Sequence, residues 1–139
     1  MHMNNMITKN FSRAEISCHC GCGADQISLE LICKLQEARD EYFKIFDKGL
    51  VVNCGCRCPK HNTDVGGEDK SAHLTTDKKV GEAIDLACAD SHERYVLFKI
   101  LMKYFTRLEL GDVWIHVDVA RDDAHPGEVI FLPNYKQRK

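Results

Sequence analysis

The chain has 139 residues, 44% of them hydrophobic, with 19 Lys and Arg against 21 Asp and Glu and a formal charge of −2. That length suits one domain with its own core, and the interspersed signs exclude broad electrostatic attraction to nucleic acid or anionic lipid. No apolar run approaches the roughly 20 residues of a membrane span, and the opening MHMNNMITKN lacks the basic and apolar regions of an export signal. We therefore expect a single domain over 1–139, with 1–10 a flexible N-terminal segment, made in the cytosol and staying there unless something else releases it, monomeric, and without membrane or nucleic-acid partners.

In chain order, Ser12 followed by Glu15 in FSRAEIS is a capping-box pattern that starts a short helix. Between Leu29 and Phe46 the apolar residues Leu31, Ile32, Leu35, Ala38, Tyr42, Ile45 and Phe46 recur at steps of three and four, which predicts an amphipathic helix ending near Gly49. GLVVNC reads as a strand, and CPKHNTDVGG as a short helix with Pro59 in its first turn and the glycine pair at its end. The tract EDKSAHLTTDKK is turn-like, GEAIDLAC is a buried strand, and Ser91 caps a second long helix, SHERYVLFKILMKYF. WIHVDVA and EVIFLP follow as strands. The mixed order, with hairpins expected at the end, predicts an α+β fold: a small antiparallel sheet with flanking helices.

Eight cysteines are present, three alternating in CHCGC (Cys18, Cys20, Cys22), three in CGCRC (Cys54, Cys56, Cys58), with Cys33 and Cys88 apart. Structural zinc sites usually space ligands C-x2-4-C, so C-x-C is a weak metal signal. A second metal, a disulfide pair and reduced thiols acting as small hydrophobes all remain open readings.

Chemistry concentrates in the two strands that carry polar residues. Alternation places Trp114, His116 and Asp118 on one face of WIHVDVA and Ile115, Val117 and Val119 on the other. In GEAIDLAC, Asp85 shares a face with the small residues Gly81 and Ala83, which leaves room above it. A carboxylate inside an apolar strand needs a partner or a cation. His73, Asp85 and His116 together make a His-Asp-His set that suits Zn²⁺ with a fourth position open for water, and the implied reaction is hydrolysis of an amide. Taken singly, each histidine is more often an ordinary hydrogen-bonded residue, so the set carries the reading.

GCRCPKHNTDVGG, then SAH, GEAID and WIHVDV, resemble the M15 family of zinc peptidases, the D-Ala-D-Ala carboxypeptidase and phage endolysin group that shares its fold with the hedgehog signalling domain. The family pattern runs S-G-Y-R-C-P-x-H-N-x-x-V-G-G, S-x-H-x-x-G-x-A-x-D and H-x-D, and FSRAEISCHCGCG is similar to the FxxxExxCxCGCG start of its phage-associated branch. The resemblance spans about Phe11 to Asp118. It implies that His73, Asp85 and His116 ligate zinc, that Arg57 holds a substrate carboxylate, and that Ser71 orients a ligand or contacts substrate. It makes Asp118 the catalytic acid-base group, with Asp112 and Glu109 in reserve, because Val113 stands where other branches place an acid. The alternative role for Asp118 is to orient a ligand.

Two departures from the pattern stand out. Eleven residues separate His73 from Asp85 where the family has six, as if TTDKK were inserted, which places a loop beside the cleft with Asp77 as a competing ligand. CGCR also replaces SGYR. The function implied by the resemblance is zinc-dependent hydrolysis of an amide in peptidoglycan stem peptides, by a carboxypeptidase or an endolysin-type endopeptidase acting at the cell wall, in the phage case after lysis begins. The rival expectation is a non-catalytic zinc-stabilised binding or virion assembly module of the same fold, and a weaker one is a cysteine-ligated zinc module.

Overall fold

A computed structural model describes residues 5–133. Its elements are α1 (Arg13–Ile16), α2 (Leu29–Phe46), β1 (Val51–Cys54), α3 (Pro59–Asp64), β2 (Ala83–Ala87), α4 (Ser91–Leu101), β3 (Arg107–Leu110), β4 (Trp114–Asp118) and β5 (Val129–Phe131). The strands form one five-stranded sheet in the order β1-β2-β4-β3-β5. The α+β expectation holds, but the sheet is mixed: β5 runs parallel to β3 beyond the β3–β4 hairpin, instead of forming a terminal hairpin with β4.

Local chemistry explains where the helices begin. The Ser12 hydroxyl accepts from the Glu15 amide while the Glu15 carboxylate accepts from the Ser12 amide, a complete capping box. Ser28 caps α2 through the Leu31 amide, and the helix stops because Asp47 turns left-handed at φ 54°. That places the stop before Gly49, and Ile45, expected inside, is 58% exposed. Asp90 rather than Ser91 caps α4, accepting from the Glu93 amide, and α4 ends at Leu101. Within the expected flexible segment, residues 5–10 make hydrogen bonds: the Ile7 amide donates to the Phe11 carbonyl, and Gln36 accepts from the Thr8 hydroxyl and the Asn10 amide. Residues 1–4 of that expected segment lie outside the described residues. Among the described residues, no helix is long and apolar enough to cross a membrane.

The sheet has two unlike faces. Ile84, Leu86, Leu108, Ile115 and Val117 point to one side, fully or almost fully buried with Leu31, Ile32 and Leu35 of α2 and Leu97 and Leu101 of α4. Burying side chains of this size stabilises the fold by about 1.5–3 kcal/mol each. Because strand side chains alternate, the intervening residues Asp85, Arg107, Glu109, His116 and Asp118 all point the other way. The helices hold the sheet from behind and leave this polar face as the floor of a cleft.

Candidate metal centre

Strand pairing brings the predicted site together. β2 and β4 are antiparallel with Asp85 directly opposite His116 and Ala83 opposite Asp118. β3 pairs with the other edge of β4, setting Glu109 opposite His116 and Arg107 opposite Asp118. His73 arrives from the loop above. Its Ser71 neighbour accepts from the His73 amide, the His73 carbonyl accepts from the Arg57 amide, and the Arg57 carbonyl accepts from the Thr75 amide. All of these but Ala83 and Thr75 line a cleft of about 1020 Å³, together with the 66–72 loop, Trp114, and Ile130 and Phe131.

The donor atoms converge on one carboxylate. His73 Nε2 lies 3.2 Å and His116 Nδ1 2.8 Å from the same Asp85 oxygen. Each imidazole is held by its other nitrogen: His73 Nδ1 lies 2.7 Å from the Gly55 carbonyl, and His116 Nε2 lies 2.7 Å from Asp118. A carbonyl and a carboxylate only accept, so these nitrogens carry protons, and with a cation bound the lone pairs of His73 Nε2 and His116 Nδ1 would face it. Anchoring one imidazole nitrogen to a carbonyl or carboxylate is how metal-ligating histidines are held. The donor set of two nitrogens and one oxygen, open to the cleft, fits zinc. Asp85 is less enclosed than its apolar strand suggests, with 20% of its side chain exposed, and that open side is the cleft.

Without a cation, the same atoms must hold protons. Burial pushes the His116 imidazole down, but hydrogen bonds to Asp118 and Asp85 outweigh it and lift its pKa to about 9. For Asp85, burial opposes ionisation, yet the two histidines hold its carboxyl well below the ordinary carboxylate range. A cation would take the place of a proton on this cluster.

Asp118 is placed differently from a free acid-base group. One oxygen meets His116 and the other accepts from Arg107 Nε at 2.6 Å and from the Ala120 amide at 3.1 Å, all of it 2% exposed. With both oxygens engaged and its carboxyl held low by His116 and Arg107 against the cost of burial, it is suited to orienting His116 and poorly suited to carrying a proton. Glu109 is the contrast. It is half-buried on the cleft face, has no side-chain hydrogen-bond or ion-pair partner among the described residues, and burial, only partly offset by the His116 charge, lifts its carboxyl above the ordinary range. Asp112 binds the Val113 amide on the hairpin and does not line the cleft.

Arg57 lines the cleft, and among the described residues its guanidinium has no hydrogen-bond or ion-pair partner; Nε is buried without one. Gly67 lets the loop approach it: a Cβ there would stand 2.7 Å from the guanidinium and 2.1 Å from the Asn62 side-chain oxygen. The inserted segment does not cover the cleft. It folds away, with Thr76 and Lys79 bonding across a turn, Asp77 exposed and Val80 at a separate cavity beside Ile7 and Ile27. Asp77 is therefore not placed to compete with Asp85.

Arg107 and the whole of β3 escaped the sequence reading. The signal was the period-two pattern of TRLEL followed by a Gly-Asp turn, with a charged residue at a position that strand pairing buries. Cys54 also approaches the site, its sulfur 3.7 Å from His73 Nδ1, and with His73 and Asp85 forms a possible ligand group. The His73 nitrogen it approaches is the one held by the Gly55 carbonyl.

The family model described as Peptidase M15 matches residues 9–118, a stretch that begins before α1, ends with β4 and contains every residue of this cluster. No curated protein matches the chain.

Proposed function

The chain belongs to the peptidase M15 family, a family of zinc-dependent metallopeptidases, and from that premise we propose that it hydrolyses an amide bond in peptidoglycan stem peptides, next to a free carboxylate and a D-amino acid. The observation that carries this reading is a guanidinium, Arg57, with no partner among the described residues, in the same cleft as three convergent donors, His73, Asp85 and His116.

Zinc held by these donors would supply Lewis acidity, polarising the scissile carbonyl and acidifying water. The protein's own groups do the rest. Arg57 binds the terminal carboxylate through the planar fork of its guanidinium, which fixes the register of the peptide in the cleft. Glu109 accepts the proton of the attacking water and returns it to the leaving amine, a role for which a raised carboxyl pKa is suited. Asp118, braced by Arg107, holds the proton on His116 Nε2 and so keeps Nδ1 aimed at the cation. Ser71 fixes the backbone of His73. Trp114 and Phe131 give the cleft apolar walls. A wall substrate also requires the chain to reach the wall, which in the phage setting is supplied by lysis.

Release of amines from purified peptidoglycan, measured together with zinc content, tests this. Asp85→Ala is expected to lose the cluster's zinc and all cleavage. Arg57→Ala is expected to keep zinc and lose about 10–100-fold in kcat/KM, the scale of a charged hydrogen bond of about 1.5–3 kcal/mol. Zinc bound at this cluster with no cleavage of any wall substrate would favour the binding-module reading instead.

A further inference from the structure

A second group of donors lies outside the cleft. We propose that Cys18, Cys20, Cys22 and Cys58 bind a structural divalent cation of the zinc class as four thiolates, and that this cation pins the chain segment carrying Arg57.

The CHCGC stretch is no strand. Its backbone curls: the Cys18 amide donates to the Ala24 carbonyl at 2.9 Å and the Gly21 amide to the Cys18 carbonyl at 3.3 Å, with Gly21 and Gly23 left-handed at φ 84° and 88°. A side chain at those φ values would be strained, so the glycines permit a tight turn that aims three sulfurs at one point. The fourth comes from the residue before Pro59, where the chain enters α3. Cys18 and Cys20 sulfurs are 3.5 Å apart, Cys20 and Cys58 3.6 Å apart, and all four lie within 4.8 Å of one another.

Those separations select among the three readings left open for the cysteines. A disulfide needs about 2.05 Å, and all eight cysteines are free. Four sulfurs at about 2.3 Å from one tetrahedral zinc stand about 3.8 Å from each other, which the observed spacing approaches. Packing as small hydrophobes is excluded for Cys20 and Cys22, which are exposed. Backbone amides also point at sulfur: Cys58 N–H donates to Cys18 at 3.4 Å and His61 N–H to Cys58 at 3.3 Å. The His61 amide at the start of α3 favours the thiolate form of Cys58.

The location gives the cation a task. Cys58 follows Arg57, whose backbone bonds on both sides to the His73 loop, and the Cys56 amide donates to Ile16 at the end of α1. A cation joining Cys58 to the 18–22 turn would fix the N-terminal turn, the Arg57 segment and, through it, the loop that presents His73. It takes no part in the reaction.

The test uses the full chain loaded with zinc, then with Co²⁺. Wild type is expected to bind about two zinc ions, and His116→Ala to retain one of them. In the cobalt form, His116→Ala should keep the near-ultraviolet sulfur-to-cobalt charge-transfer absorption, and Cys20→Ser with Cys22→Ser should lose most of it. Should the cysteine variants fail to fold, wild type alone decides: the exposed Cys20 and Cys22 should resist a chromogenic thiol reagent until a chelator is added, while the exposed Cys33 reacts at once. Immediate reaction of all three before chelation, a cobalt form without sulfur charge transfer, or a native mass lowered by disulfide formation would each overturn the proposal. These readouts need no peptidase activity.

Discussion

The two donor clusters are built on opposite principles. His73, Asp85 and His116 sit on or against the interior of a sheet whose reverse face is locked by α2 and α4, and each histidine has its second nitrogen anchored. The four cysteines sit on turns, three within five residues, held by glycine geometry and a few amide bonds. The strand-borne cluster is organised before any cation arrives, because hydrophobic burial on the far side fixes where its side chains point. The turn-borne cluster has little burial behind it, so a cation there would contribute to the folding of that region. Chemistry belongs on the first kind of scaffold, where small displacements are expensive, and stapling on the second.

Several substitutions separate these principles. The largest effect after outright loss of a ligand is expected for Glu109→Gln: kcat lower by roughly 10²–10⁴-fold, with zinc content and thermal stability kept. Unchanged kcat would remove Glu109 from proton transfer and return that role to Asp118. Asp118→Asn is expected to act one step away, weakening zinc affinity by about 10–100-fold, and a competition titration with a chelating dye measures it. If instead affinity is untouched and kcat collapses, Asp118 is the acid-base group that the sequence pattern suggests.

A smaller effect follows from protons standing in for the cation. In metal-free protein the His116 pKa is raised to about 9 from about 6.5 in the unfolded chain. Its stabilising contribution is therefore complete below about 6.5 and lost as pH rises through about 9. The stability advantage of metal-free wild type over metal-free His116→Gln, read as a Tm difference, should shrink across that window. A constant difference would show that the Asp85-His116-Asp118 chain of bonds is not charged in the absence of metal.

Much of this site was legible because its signals are local. The alternation in WIHVDVA and GEAIDLAC separates core from cleft residues without any knowledge of neighbours, and the spacing of Ser12 and Glu15 specifies a cap. Boundaries were less legible: Asp90 and Ser91 are both good caps, and which one serves depends on where packing of Leu97 and Leu101 sets the helix phase. β3 was missed because four residues of alternation are short, and the burial of Arg107 makes sense only opposite Asp118.

The sequence by itself determined which residues share a face, which helices are amphipathic, and the ordered motifs that identify the family, since these depend on periods of 2 and 3.6 residues and on residue identity. Only the tertiary structure decided that β2 and β4 are neighbours with Asp85 opposite His116, that Asp118 is engaged while Glu109 has no partner among the described residues, and that Cys58 joins the group of Cys18, Cys20 and Cys22. The reason is physical. Each of these is a meeting of segments distant along the chain, and such meetings are set by how the apolar faces of the sheet and helices bury one another, a property of the whole fold and of no single segment.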